Sequence, residues 1–195
     1  SSEKHWSNTG EKEKNMSYFY INHMKAKGPV ESLQKLIEYI TKDRYFQQIT
    51  LSTNEQIDKT RNPKTISIQY TTNNEPYTNY EYESKYAIPH KTHEKLAQKF
   101  PMLTFEIESA GEEKGYGVEK ATYKNKEKTI HRYNNRSKQA ISLAAKLWWE
   151  PNTAKYLEKD KYSNKYNISE EYFNKNGPNK DKEYFDTHCT LEYET

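Results

Sequence analysis

The sequence predicts an α+β fold: an antiparallel sheet with two helices on one face, elaborated by a third helix and a C-terminal extension. Three observations predict it. Leu103, Phe105 and Ile107 alternate with Thr104, Glu106 and Glu108, the period-two pattern of a half-buried strand. Val30, Leu33, Leu36, Ile37 and Ile40 recur at helical spacing, as do Ala140, Leu143, Ala144 and Leu147. Segments of the two kinds follow one another along the chain, with no internal repeat and no heptads.

Taken in order, Ser1 to Ser17 is polar and without periodicity, so it reads as a disordered lead. Tyr18 and Tyr20 begin a strand that ends at the Gly28-Pro29 turn signal. The first helix follows, with Glu31 in its first turn and Lys42 near its end, which suits the helix dipole. Tyr45 to Leu51 is a second predicted strand, and Ser52 to Lys64 a long polar connection. Ile66, Ile68 and Tyr70 form a strand, Asn73-Asn74-Glu75-Pro76 a turn, and Thr78 to Tyr86 the partner strand of a hairpin.

Pro89 opens a second helix carrying His93, Leu96, Ala97 and Phe100, and Pro101 ends it by disfavouring helical geometry in the residue before it. The Leu103 strand follows. Then come Gly111, Gly115 and Gly117, and two strands, Tyr116 to Tyr123 and Thr129 to Tyr133, joined around Asn125-Lys126. Ser137 is the expected N-cap of a third helix reaching Trp149, with Pro151 beyond it. Ser169 caps a short predicted helix before Gly177-Pro178, and Phe185, Thr187, Cys189, Leu191 and Tyr193 alternate as a final strand. The expected organisation is a lead over 1–17, a sheet domain over 18–136 and a helical and strand extension over 137–195.

Composition excludes several classes. The chain has 195 residues, 32% hydrophobic and 30% charged, and a mean hydropathy of -1.28. No stretch approaches the roughly 20 apolar residues that cross a bilayer, so no membrane partner is expected. The first thirty residues carry no apolar signal core. One cysteine, Cys189, cannot staple a fold, which fits a reducing, cytoplasmic setting. The 18 tyrosines and 3 tryptophans supply core volume where Leu and Val are scarce.

Charge is unevenly distributed. Residues 1–113 carry 15 basic and 16 acidic side chains, net -1, and residues 147–195 carry 7 and 10, net -3. Residues 114–146 carry 9 basic against 2 acidic side chains, net +7. Such a segment attracts phosphates or an acidic protein surface, unless its lysines are merely solvated.

Two stretches carry a family resemblance. The first is Tyr20-Ile-Asn-His-Met-Lys-Ala-Lys-Gly28-Pro29 with Val30-Glu-Ser-Leu33. The second is Tyr86-Ala-Ile-Pro89, a helix, Phe100-Pro101-Met-Leu103-Thr-Phe105-Glu106, then Glu112-Glu113-Lys-Gly115-Tyr116-Gly117. Over about residues 18–130 the chain resembles the ferredoxin-like domain of the Api92-like (YubB-type) proteins of phages, plasmids and integrated mobile elements. The resemblance implies a β-α-β-β-α-β core and a mobile-element origin. It implies no established chemistry; the roles expected of such accessory genes include blocking host defence.

Possible chemistry is sparse. His90 and His93, with Glu94 adjacent, are spaced to share a helix face and bind zinc, but the sequence supplies no third ligand, and polar surface at a helix start is the better account. His188 and Cys189 are adjacent on a predicted strand, so they point to opposite faces and do not form a nucleophile–base pair. The three glycines precede a strand, whereas a phosphate loop opens a helix. The most informative set is Lys120, Tyr123, Lys124, Lys126, Lys128, His131, Arg132, Tyr133 and Arg136. Cations interleaved with tyrosines hold phosphates and stack unpaired bases. Trp149, about 100 degrees around the helix from the apolar Trp148, is a candidate protein-contact anchor.

The expected function is therefore non-enzymatic binding of a host macromolecule, either RNA or an RNA-guided protein effector, with anti-CRISPR-like inhibition as one form. No metal or small-molecule cofactor is expected. The alternatives are a metal-independent ribonuclease centred on His131 and a structural mobile-element protein.

Overall fold

A computed structural model describes residues 19–42, 53–61, 66–113, 115–148, 157–159, 161 and 166–168. The chain runs β1 (Phe19–Lys27), α1 (Val30–Thr41), β2 (Gln56–Arg61), β3 (Gln69–Tyr70), β4 (Pro76–Lys85) and α2 (His90–Lys99). It continues through β5 (Thr104–Gly111), β6 (Glu119–Lys124), β7 (Glu127–Arg132), α3 (Lys138–Leu147), β8 (Leu157–Lys159) and β9 (Tyr166–Ile168). Seven strands form one antiparallel sheet in the order β2-β4-β1-β5-β6-β7, with β3 also paired to β4. β8 and β9 pair as a separate ribbon. The sheet interleaves two β-α-β units. β4 lies between β1 and β2, and β1 lies between β4 and β5.

Alternation along β1 sets the layers. Tyr20, Asn22, Met24 and Ala26 face α1 and α2; Ile21, His23, Lys25 and Lys27 face the other way. On the first side, Met24, Ala26, Leu33, Leu36, Leu96, Phe105, Ile107 and Tyr123 share one core. Leu103, Phe105 and Ile107 are buried as their alternation requires, with Leu33 and Leu36. Ile37 is only half-buried; Ile40, one turn after Leu36, completes the α1 stripe instead. On the second side, α3 packs Ala140, Leu143, Ala144 and Leu147 on Ile21, Ala110 and Val118. Ser137 caps α3 by accepting from the Ala140 amide at 3.1 Å. α3, which follows the boundary expected after Arg136, packs on the sheet.

Two other expectations change. The polar connection over 52–64 contains β2, which pairs with β4. It escapes apolar patterning because it is an edge strand with a register shift between Ile57 and Thr60; Ile57 packs against the core. The strand expected over Ile66 to Tyr70 shortens to Gln69–Tyr70, although Ile66 and Ile68 still pack on the core. The strand over Tyr45 to Leu51, the lead over 1–17, the segment around Cys189 and the helix after Ser169 lie outside the described residues.

The core also holds polar groups. Asn22 is fully buried between β4 and β5. Its amide nitrogen donates to Ser84 Oγ at 3.0 Å and to the Tyr82 carbonyl at 3.4 Å, and its carbonyl accepts from Ser109 Oγ at 2.8 Å. That seam meets the requirement that buried polar groups be bonded. Deeper in, His93 of α2 lies edge-on between the rings of Tyr82 and Tyr123, and its Nε2 hydrogen-bonds the Tyr82 hydroxyl.

Truncating a fully buried aromatic typically costs about 3–5 kcal/mol. Phe105→Ala is expected to lose stability in that range in a denaturant titration, and an unchanged midpoint refutes the layer assignment. His93 supplies a pH test. Burial, reinforced by the nearby charge of His90, lowers its pKa from 6.5 to about 3. The unfolded chain binds this proton more readily, so the contribution is complete above 6.5 and is lost as pH falls toward 3. The loss is about 1.4 kcal/mol per pH unit, or about 2 kcal/mol between about pH 7 and about pH 5. His93→Phe, less stable because Tyr82 loses its partner, is expected to show a flatter pH dependence in urea unfolding; an equally steep one refutes the assignment.

Candidate binding face

α3 covers only one end of its side of the sheet. Among the described residues the remainder is an open face bearing His23 and Lys25 of β1, Asn79 and Glu81 of β4, Glu106 and Glu108 of β5, and Lys120 and Thr122 of β6. With Lys146 from α3 these residues line a groove of about 550 Å³. The strand registers explain the grouping: His23 opposes Glu81 and Glu108, and Glu108 opposes Lys120. Residues opposed across neighbouring antiparallel strands share one face.

The groove is charged but compensated. Glu108 receives Lys146 at 3.1 Å and Lys120 at 3.6 Å, Glu106 receives Lys27 at 2.7 Å, and His23 lies 3.6 Å from Glu81. Lys25 caps the Tyr77 ring at 4.4 Å, a cation–π contact. Among the described residues, His23 Nε2 and one oxygen of Glu108 are buried without a hydrogen bond. Burial lowers the His23 pKa; Glu81 and Glu108 oppose that, Lys146 adds to it, and a hydrogen bond to the Leu147 main chain opposes it.

The residues singled out from the sequence separate. Lys120 and Lys124 lie on the open-face side of β6, and His131 opposes Lys120 across the β6–β7 pair. His131 is exposed and meets Tyr133 edge-on at 4.6 Å. Lys126 is exposed at the hairpin turn. Lys128 and Arg132 lie on the helix side, where Lys128 pairs with Glu94 and Arg132 approaches Glu119 at 3.5 Å. Tyr123 is 1% exposed and Arg136 is 9% exposed, so burial removes both from the surface expected of them. Tyr133 is half-buried, and Trp149 lies outside the described residues. Four cations of the net-positive segment are thus paired with acids, three of them with acids contributed from outside it. Lys124 and Lys126 carry no ion pair among the described residues.

His90 and His93 diverge instead of converging on a metal. His90 Nε2 donates to the buried Glu119 at 2.5 Å, and His93 goes to Tyr82. His93 is a core residue, which corrects its reading as helix-start surface. Among the described residues no group of three or more His, Cys, Asp or Glu is placed to hold a metal ion. The buried carboxylate of Glu119 was the feature missed. Its signal was present, since Glu119 shares its strand parity with Ala121 and Tyr123. Compared with protein-family models, curated proteins and solved structures, the chain matches none.

The His23 environment gives a signed expectation. In an NMR titration its imidazole is expected to titrate below 6.5. Glu81→Gln removes an opposing charge and lowers the value further, whereas Lys146→Ala raises it. Shifts of the opposite sign refute the groove geometry.

Proposed function

We propose that the protein is a non-enzymatic binding protein that engages RNA or an RNA-guided protein effector through its open sheet face and the β6–β7 hairpin. The observation that carries this reading is the polar groove that the described residues form beside α3, continuous with a margin bearing Lys120, Lys124 and His131. A sheet face kept free of helices and set with cations and rings suits an extended polar chain. The interleaved β-α-β order supports a ferredoxin-like core enlarged by β3, β6 and β7. With the resemblance to the Api92-like proteins, it supports an accessory role in a phage or other mobile element. Inhibition of a cytoplasmic, nucleic-acid-guided defence effector is the role this reading favours.

The test is a salt-dependent binding series with labelled single-stranded RNA, beside capture from bacterial lysate with and without nuclease. Lys120→Glu with Lys124→Glu is expected to weaken binding and, at roughly 0.7 per phosphate contact, to flatten the log–log salt slope by about 1.4. His131→Ala is expected to leave RNA integrity unchanged. RNA cleavage lost in His131→Ala favours the ribonuclease reading instead. Capture that survives nuclease and is lost on charge reversal identifies a protein effector. Binding indifferent to both charge reversals overturns the proposal.

A further inference from the structure

A second, smaller pocket of about 240 Å³ lies at one end of the sheet, where β1, α2 and β6 begin and β7 ends. Three turns surround it, and each includes or adjoins a residue at positive φ. Tyr86 (68°) precedes the lining residues Ala87 and Ile88, Gly117 (57°) lines it directly, and Arg136 (60°) follows Asn135. For a residue as bulky as tyrosine this conformation is costly and persists only where surroundings impose it, a condition that clusters at binding sites. Glycine is required at 117, because a Cβ there would stand 2.6 Å from the Tyr20 ring.

Glu119 sits at the pocket with only 4% of its surface exposed. Its two oxygens are divided between two side chains: Oε1 takes His90 Nε2 at 2.5 Å, and Oε2 faces Arg132 Nε at 3.5 Å. The Arg132 side chain is itself 72% exposed. The Arg132 guanidinium makes no hydrogen bond among the described residues. A guanidinium steered at Nε and open at its fork takes a phosphate or carboxylate through two parallel hydrogen bonds. Beside it the lining is mainly apolar: Tyr20, Ile88, Val118 and the half-buried ring of Tyr133. The volume is below the roughly 300–1,000 Å³ of sites for drug-sized molecules, so the pocket suits one flat ring system.

We propose that this pocket takes one nucleotide of a single-stranded nucleic acid, its base against Tyr20, Ile88 and Tyr133 and its phosphate on the Arg132 fork. The inference rests on the RNA branch of the reading above and adds a defined site at its margin. Glu119 is a positioning residue that aims Arg132. An acidic protein side chain would satisfy Arg132 but leave the apolar slot unfilled, so the combination favours a nucleotide.

The test measures binding of the full chain to a labelled oligouridylate of about twelve nucleotides. Adenosine monophosphate, inorganic phosphate and polyglutamate serve as competitors. Arg132→Ala is expected to weaken binding about tenfold at a temperature where its melting curve shows it still folded, and Arg132→Lys, which keeps a cation beside Glu119, to restore the melting curve but little of the binding. Tyr133→Leu is expected to cost a comparable factor through lost stacking. Adenosine monophosphate is expected to displace the probe at lower concentration than inorganic phosphate. Equal competition by the two overturns the base slot. Displacement by polyglutamate at lower concentration than the nucleotide overturns it in favour of an acidic protein. If both pocket variants bind as the parent does while Lys120→Glu with Lys124→Glu abolishes binding, the pocket proposal fails and the open-face reading stands. If the parent binds no oligonucleotide, the pocket proposal and the RNA branch fall together.

Discussion

Strand β1 is the constraint on which the rest depends. It is bonded to β4 on one side and to β5 on the other through most of its length, and it is covered on both faces at its first half. A strand so placed must satisfy two ladders and two cores with one sequence. It does so by parity. Met24 and Ala26 serve the α1 and α2 layer, Ile21 serves the α3 layer, and His23 and Lys25 emerge where α3 stops. A slip of one residue would exchange these sets, placing His23 and Lys25 in the core. Asn22 opposes such a slip, because its amide meets Ser84 on β4 and Ser109 on β5 only in the observed register.

The same logic of satisfied and compensated polar groups shapes the surface. A buried carboxylate without a partner is costly, and Glu119 has His90 and Arg132. On the open face, Glu108 draws Lys120 and Lys146 together; on the helix side, Lys128 is drawn to Glu94 on α2. Exposed pairs of this kind contribute roughly 0–1 kcal/mol each, so they do little for stability. Their larger effect is on the field presented to a partner. A segment with a net charge of +7 in sequence becomes a surface on which, among the described residues, Lys124 and Lys126 stand without an ion pair while Lys120, Lys128, Arg132 and Lys146 are held by acids.

Much of the architecture was legible along the chain. The helices around Leu33, Leu96 and Leu143 and the strands around Met24, Tyr80, Phe105 and Ala121 each carry their own period and their own Gly or Pro punctuation. β2 was not legible, because an edge strand with a bulge needs no apolar alternation. The candidate face was legible only as composition. Its lysines were visible, but the acids that neutralise them come from β5 and α2, about twelve and thirty-four residues away for Lys120–Glu108 and Lys128–Glu94.

The sequence by itself determined the three helices and the strands β1, β4, β5, β6 and β7, and the apolar side of most of them, since these follow from local periodicity and backbone sterics. Only the tertiary structure decided that α3 covers half of the second face and leaves a groove beside it. It alone decided that His93 enters the core while His90 turns to Glu119, and that Arg132 and Lys124 serve different sides of one hairpin. These outcomes depend on strand order and register. Both are set by contacts between residues far apart in the chain, whose mutual approach no local pattern encodes.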